Sequence, residues 1–195
     1  MVENHLFLSR SRPPTRRQTS HPEEPIPNSH TMTNDDFVKL VEHLKKDSQT
    51  ICLSPDLWEK SNVPDSISWT DVKFTKSEKS KIPTERGVYA FVIELRKSHF
   101  PPNHHIVYFG EVGEKGNETL RSRFSSYFSE LKRPKKRAVH YPLTKYKKFI
   151  YFYFCAVPDR RRSVKKLEKH LTGTFVPEYN LRDFDSDLRP AVAAF

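Results

Sequence analysis

Two tyrosines, Tyr89 and Tyr108, stand in short apolar stretches, each close to a glycine, Gly87 and Gly110. Arg123 and Tyr127 follow, four residues apart, and then Glu168 and Asn180. These residue types suit phosphodiester hydrolysis, which needs a nucleophile, a stabiliser of the pentacoordinate charge and help for the leaving oxygen. A glutamate such as Glu168 can hold Mg²⁺, a hard cation that keeps most of its waters. An arginine offers a permanent charge in a fork that matches phosphate oxygens. A tyrosine hydroxyl beside a cation and a metal-bound water can take or relay a proton if its pKa falls from about 10. A glycine lets backbone or phosphate approach where no Cβ stands. Each residue also has a plainer reading. A lone tyrosine in a strand is ordinarily core, and Tyr127 can simply pack its helix. Glu168 can pair with Lys165 or Lys169 on a surface. Arg121 competes with Arg123, and the two point about 200° apart on a helix, so both cannot serve one phosphate. Asn180 suits support: it can orient Glu168 or fix the backbone after Pro177.

The elements that must position these residues are legible. Residues 87–95 form an apolar, β-branched and aromatic run, and 106–112 a second; both read as strands, joined as a hairpin across Pro101, Pro102 and Asn103. Thr119 can cap a helix to about Lys132, with Leu120, Phe124, Tyr127, Phe128 and Leu131 on its apolar side. A short helix is expected over Pro142–Lys148 and a third apolar strand over 149–157. Ser163 can cap a last helix to about Thr174, and Pro177 ends it. Upstream, Thr33 or Asn34 can cap a helix from Asp35 to Lys46, with acidic residues first and lysines last as the helix dipole prefers. Residues 49–85 look irregular, broken by Pro55, Pro64 and Pro83, with Trp58, Ile67, Trp69, Val72 and Phe74 available to pack on a neighbouring core. The expected organisation is a disordered tail (1–33), a helix plus irregular extension packing on the core (34–85), a core domain (86–183) and a C-terminal tail (184–195). The expected class is α+β, a small three-stranded antiparallel sheet flanked by helices in the order β-β-α-α-β-α.

Taken in order, these residues resemble the GIY-YIG nuclease family. Gly87-Val88-Tyr89 is similar to the GIY element and Tyr108-Phe109-Gly110 to the YIG element. Arg123, with Tyr127 four residues on, resembles the segment that follows in the nuclease subunit of bacterial excision repair. Glu168 precedes Asn180 by 12 residues, close to the family's glutamate-to-asparagine spacing. The likeness covers about half the chain. It implies a Mg²⁺-dependent (or Mn²⁺-dependent) endonuclease acting on double-stranded or branched DNA. It selects Arg123 over Arg121, assigns proton handling to at least one of Tyr89 and Tyr108, and makes Glu168 the metal ligand. Val88 and Phe109 replace isoleucines conservatively. Glu111 stands where many members carry lysine, so Lys115 substitutes from the loop or Glu111 has another task. The Gly113–Glu118 segment lengthens the loop before Arg123. The alternative is a catalytically inactive nucleic-acid-binding module of the same fold.

Charge supports a polyanionic partner. The chain carries a formal net charge of +10, and residues 86–183 hold 21 basic against 9 acidic residues. Each phosphate neutralised by such a surface releases condensed counterions. Lys132, Arg133, Lys135, Lys136 and Arg137 form one basic run, Lys145, Lys147 and Lys148 another, and Arg160–Arg162 a third. Tyr141 and Tyr146 interleave with two of them and can stack on bases. Lysines and arginines of this kind grip backbone without reading sequence. The glycines at 110, 113 and 116 lack the Gly-Lys-Ser/Thr ending of a phosphate loop. Two cysteines, Cys52 and Cys155, cannot make a four-thiolate zinc site. No run approaches the ~20 apolar residues that span a bilayer, and no secretory signal opens the chain. A cytoplasmic location is the expectation.

Overall fold

The computed structural model describes residues 33–48, 51–61, 63–64, 66–97, 99–133 and 137–180. The tails expected over 1–32 and 184–195 lie outside the described residues, as do Lys135 and Lys136. Two compact units divide the chain, Met1–Ser48 and Gln49–Phe195. The first contains helix α1 (Asn34–Asp47), closed by a capping box in which Thr33 and Asp36 exchange side-chain and backbone bonds.

In the second unit the order is α2 (Pro55–Glu59), β1 (Thr70–Lys73), a 3-10 helix (Lys76–Lys81), β2 (Gly87–Glu94), β3 (His104–Val112), α3 (Leu120–Glu130), α4 (His140–Lys145), β4 (Ile150–Ala156), α5 (Val164–Phe175) and a short 3-10 turn (Glu178–Asn180). The α+β class and the antiparallel pairing agree with expectation, and the β-β-α-α-β-α order holds from β2 to α5. The sheet differs: among the described residues it has four strands, ordered β1-β4-β2-β3, not three. The added strand comes from the stretch read as irregular. Thr70–Lys73 is too short and polar to signal a strand alone, but it pairs with β4 from Thr70↔Phe154 to Lys73↔Tyr151. Pairing covers the β4 edge and sends Val72 and Phe74 into the core.

Strand β2 is central because its residues are apolar on both faces. Tyr89 and Phe91 join a cluster with Leu120, Phe124, Tyr127 and Phe152, against α3. Val88, Ala90 and Val92 join a second with Phe109, Val164 and Leu171, against α5. Two covered faces follow from such a strand. Capping fixes both helices. Thr119 and Ser122 form a capping box on α3, and the Ser163 hydroxyl accepts from the Lys166 amide on α5. Helix α5 ends where Val176 adopts a left-handed conformation at φ 46°, a strained setting for a β-branched residue. That turn brings Asn180 back to β3.

Gly110 lies opposite Tyr89 in the β2–β3 register. A Cβ there would stand 2.4 Å from the Tyr89 ring and hydroxyl, so the phenol occupies the space a side chain would take. Gly110→Ala is expected to lower stability by about 1–3 kcal/mol in urea unfolding, the usual cost of overpacking a core. A variant as stable as the parent would contradict this packing.

Candidate functional site

Tyr89 from β2, Tyr108 from β3 and Tyr127 from α3 converge on one face of the sheet. The Tyr89 and Tyr127 hydroxyls are 2.8 Å apart, and both side chains are buried. The Tyr89 ring lies 6.3 Å from Tyr108 and 6.1 Å from Tyr127, between centroids. Tyr108 is only partly buried. Burial pushes the Tyr89 pKa well up, and Tyr127 and Tyr108 add to the shift. Burial also raises Tyr127, against the opposing pull of the Tyr89 hydrogen bond and of Arg137 and Arg123. Both phenols of the buried pair are therefore neutral at physiological pH.

Arg123 points toward this pair from α3. Its Nη2 donates to Glu118 Oε2 at 3.0 Å, and its Nη1 is 3.7 Å from Glu130 Oε1. Its Nε is buried and has no acceptor among the described residues. Burial opposes the charge, but Tyr89, Glu118, Tyr127 and Glu130 outweigh it and raise the pKa. Arg121 is used elsewhere: it donates to the carbonyls of Ile82 at 2.6 Å and Ser80 at 3.3 Å, tying α3 to the segment before β2.

Glu168 belongs to α5, which covers the face of the sheet opposite α3. It shares the buried face of α5 with Val164 and Leu171, on the other side of the sheet, and its Oε1 accepts from the Thr172 hydroxyl at 3.1 Å. The two sides meet past edge strand β3. There a cleft of about 210 Å³ is lined by Glu111, Lys115, Glu118, Arg123 from α3 and Lys165, one turn of α5 before Glu168. Asn180 clamps the same strand. Its Oδ1 accepts from the Phe109 amide at 2.7 Å and its Nδ2 donates to the Phe109 carbonyl at 2.9 Å. It thus holds the outer edge of β3 next to Tyr108. Gly87 sits under β4, where a Cβ would meet the Cys155 carbonyl at 2.1 Å.

The loop between β3 and α3 has a structural task. Glu114 accepts from the Ser163 hydroxyl at 2.6 Å and from the Val164 and Lys165 amides at 2.9 and 3.3 Å, capping α5. It also pairs with Arg86 at 3.0 Å. The Ser163 hydrogen bond, the two amides and Arg86 overcome burial and lower the Glu114 pKa. Arg86 donates further to the carbonyls of Asp159 and Arg162. Sequence reasoning missed Glu114, Arg86, Glu130 and His140. Glu130 alone had a signal, being two helical turns from Arg123 on one face.

Lys132, Arg133, Arg137, Lys147 and Lys148 are exposed. Lys145 is partly buried, 5.5 and 5.2 Å from the ring centroids of Tyr141 and Tyr146. Arg137 is set apart from the other basic residues: its guanidinium lies 5.0 Å from the Tyr127 ring centroid and pairs with Glu130. Cys52 and Cys155 are free thiols. No described helix is long and apolar enough to cross a membrane. Comparison with protein-family models, with curated proteins and with solved structures returns no match.

Two outcomes test this geometry. Tyr89→Phe or Tyr127→Phe leaves the other hydroxyl buried without its partner and should cost about 1–3 kcal/mol in chemical denaturation, while the double change costs less than the sum. Additive losses would refute the hydroxyl pair. Glu114→Gln should destabilise by about 1–2 kcal/mol through the lost charged cap. The folded-state Glu114 pKa is depressed, so this difference is fully present above about pH 4.3, the ordinary glutamate value, and shrinks as pH falls through the folded value. A difference independent of pH would exclude the ionised carboxylate as the cause.

Proposed function

We propose that this chain is a metal-dependent phosphodiesterase that cuts DNA, working as a GIY-YIG-like endonuclease. One observation carries the reading. Tyr89, Tyr108, Tyr127 and Arg123 come from three separate elements and gather on one face, with Arg123 opening onto a cleft beside the edge strand. The basic excess of residues 86–183 supports a polyanionic substrate.

The roles follow from exposure. Arg123 binds the scissile phosphate and stabilises the charge that develops on it. Tyr108 reaches the surface and handles the proton of the attacking water. Tyr89 and Tyr127 are bonded to each other and hold the face rigid. Glu168 is the protein ligand for Mg²⁺ or Mn²⁺. Among the described residues no group of three or more His, Cys, Asp or Glu gathers to hold a metal. One carboxylate fits Mg²⁺ nonetheless, because water and phosphate oxygens fill its other positions, and Thr172 orients the Glu168 carboxylate for such a task. When bound, the metal supplies Lewis-acid polarisation of the phosphate and a more acidic water. Glu111, Glu118 and Lys115 set the charge of the cleft around the phosphate. Asn180 positions Tyr108 through the backbone of Phe109. Lys132, Arg133, Lys147 and Lys148 lengthen the contact with the DNA backbone.

A second reading, a binding module without turnover, draws on the same geometry: two of the three tyrosines are bonded to each other in the core, and Arg123 is engaged by Glu118 and Glu130. Incubation of the purified protein with supercoiled plasmid and Mg²⁺ separates the two. The nuclease reading expects nicked or linear product, lost on chelation and reduced at least about hundredfold in Glu168→Ala. Salt-dependent binding without product would establish the module instead. Cleavage that survives Glu168→Ala would remove Glu168 from the site.

A further inference from the structure

Glu130 is the point where three cationic or protonatable groups meet. Its Oε2 pairs with Arg137 Nη2 and lies 3.4 Å from His140 Nε2, while its Oε1 is 3.7 Å from Arg123 Nη1. His140 is 3% exposed, and its Nδ1 accepts the Arg137 backbone amide at 3.1 Å. With Nδ1 accepting, the neutral ring carries its proton on Nε2, 3.4 Å from the carboxylate. That same amide bond fixes where Arg137 leaves the α3–α4 link. The Arg137 side chain then turns over the Tyr127 ring. Burial opposes its charge, but Tyr127, Glu130, Tyr108 and Tyr89 outweigh it and raise its pKa.

We infer that Arg123 and Arg137 form a two-guanidinium clamp for one phosphate of the DNA backbone, and that Glu130 holds this clamp at rest by standing where that phosphate binds. The inference rests on the nuclease reading for its substrate, but not on turnover. A carboxylate and a phosphate present oxygens to guanidinium forks in the same way. A carboxylate bridging two arginines therefore marks a preformed oxyanion position. Arg123 adds a buried Nε–H with no acceptor among the described residues, a donor that an incoming phosphate oxygen can satisfy. Glu130 keeps the two like charges together when no substrate is bound. Arg137 is thus a substrate-binding residue of the site itself, while the neighbouring exposed Lys132 and Arg133 stay peripheral.

The full-length protein can be titrated with a short DNA duplex in EDTA, so that binding is read without cleavage. Arg123→Ala and Arg137→Ala should each weaken binding about tenfold, the usual loss for a hydrogen bond to a charged group. The double variant should be little weaker than either single one, because one phosphate loses its clamp once. Arg137→Lys should not restore affinity, since an ammonium lacks the fork. Glu130→Gln should tighten binding severalfold by removing the competing carboxylate. Losses that multiply to about a hundredfold would show two independent contacts and overturn the clamp. An unchanged affinity in Arg137→Ala would overturn it as well, and weaker binding by Glu130→Gln would overturn the placeholder role. The Arg137 side chain is 44% exposed, so its removal leaves the core intact, and the thermal midpoint checks this. Coupled binding with no cleavage on adding Mg²⁺ would count against the nuclease reading and leave the clamp standing.

Discussion

Strand β2 is covered on both faces, and the polar side chains at its ends or along it draw their partners from inside the protein. Leaving such a group unpaired costs more than pairing it gains. Three of its side chains meet this demand differently. Arg86, just before the strand, pairs with Glu114 and with two backbone carbonyls. Tyr89 shares a hydrogen bond with Tyr127. Glu94, at the far end, accepts from Arg96 and Tyr153 and lies 3.0 Å from His104. Through these contacts one buried strand places α5, α3 and the rims of both neighbouring strands. The candidate site is assembled at the first two.

The β3–α3 loop belongs to the same logic. Glu114 stands at the N-terminus of α5, where amides are unsatisfied and the helix dipole favours a negative charge. Gly113, at φ 78°, lets the chain pass against Arg86: a Cβ there would lie 2.4 Å from the Arg86 Cβ. The β3–α3 loop therefore joins the end of β3 to the helix that carries Glu168. It sets the distance across the cleft between Arg123 and Lys165.

Charge around the cleft is interleaved, not uniformly basic. Glu118 and Glu130 engage Arg123, and Glu130 also engages Arg137. The two arginines gather without mutual repulsion because acids lie between them. The exposed Lys132, Arg133, Lys147 and Lys148 stand outside that interleaving.

Local pattern determined much of this protein. Apolar runs at 87–95, 106–112 and 149–157 pointed to three strands, which form over 87–94, 104–112 and 150–156, and caps at Thr33, Thr119 and Ser163 placed three helices. These are readable because each depends on neighbours a few residues away. The fourth strand was not: Thr70–Lys73 has little strand character until β4 offers an edge to pair with. The site divides along the same line. Residue types and spacing pointed to Tyr89, Tyr108, Arg123, Tyr127, Glu168 and Asn180. Only the tertiary structure decided that Tyr89 and Tyr127 are bonded to each other, that Asn180 grips Phe109, that Glu168 lies across the sheet, and that Arg137 leaves the basic run for the tyrosines. Those outcomes depend on which groups burial leaves without water, and that is set by contacts between residues far apart in the chain.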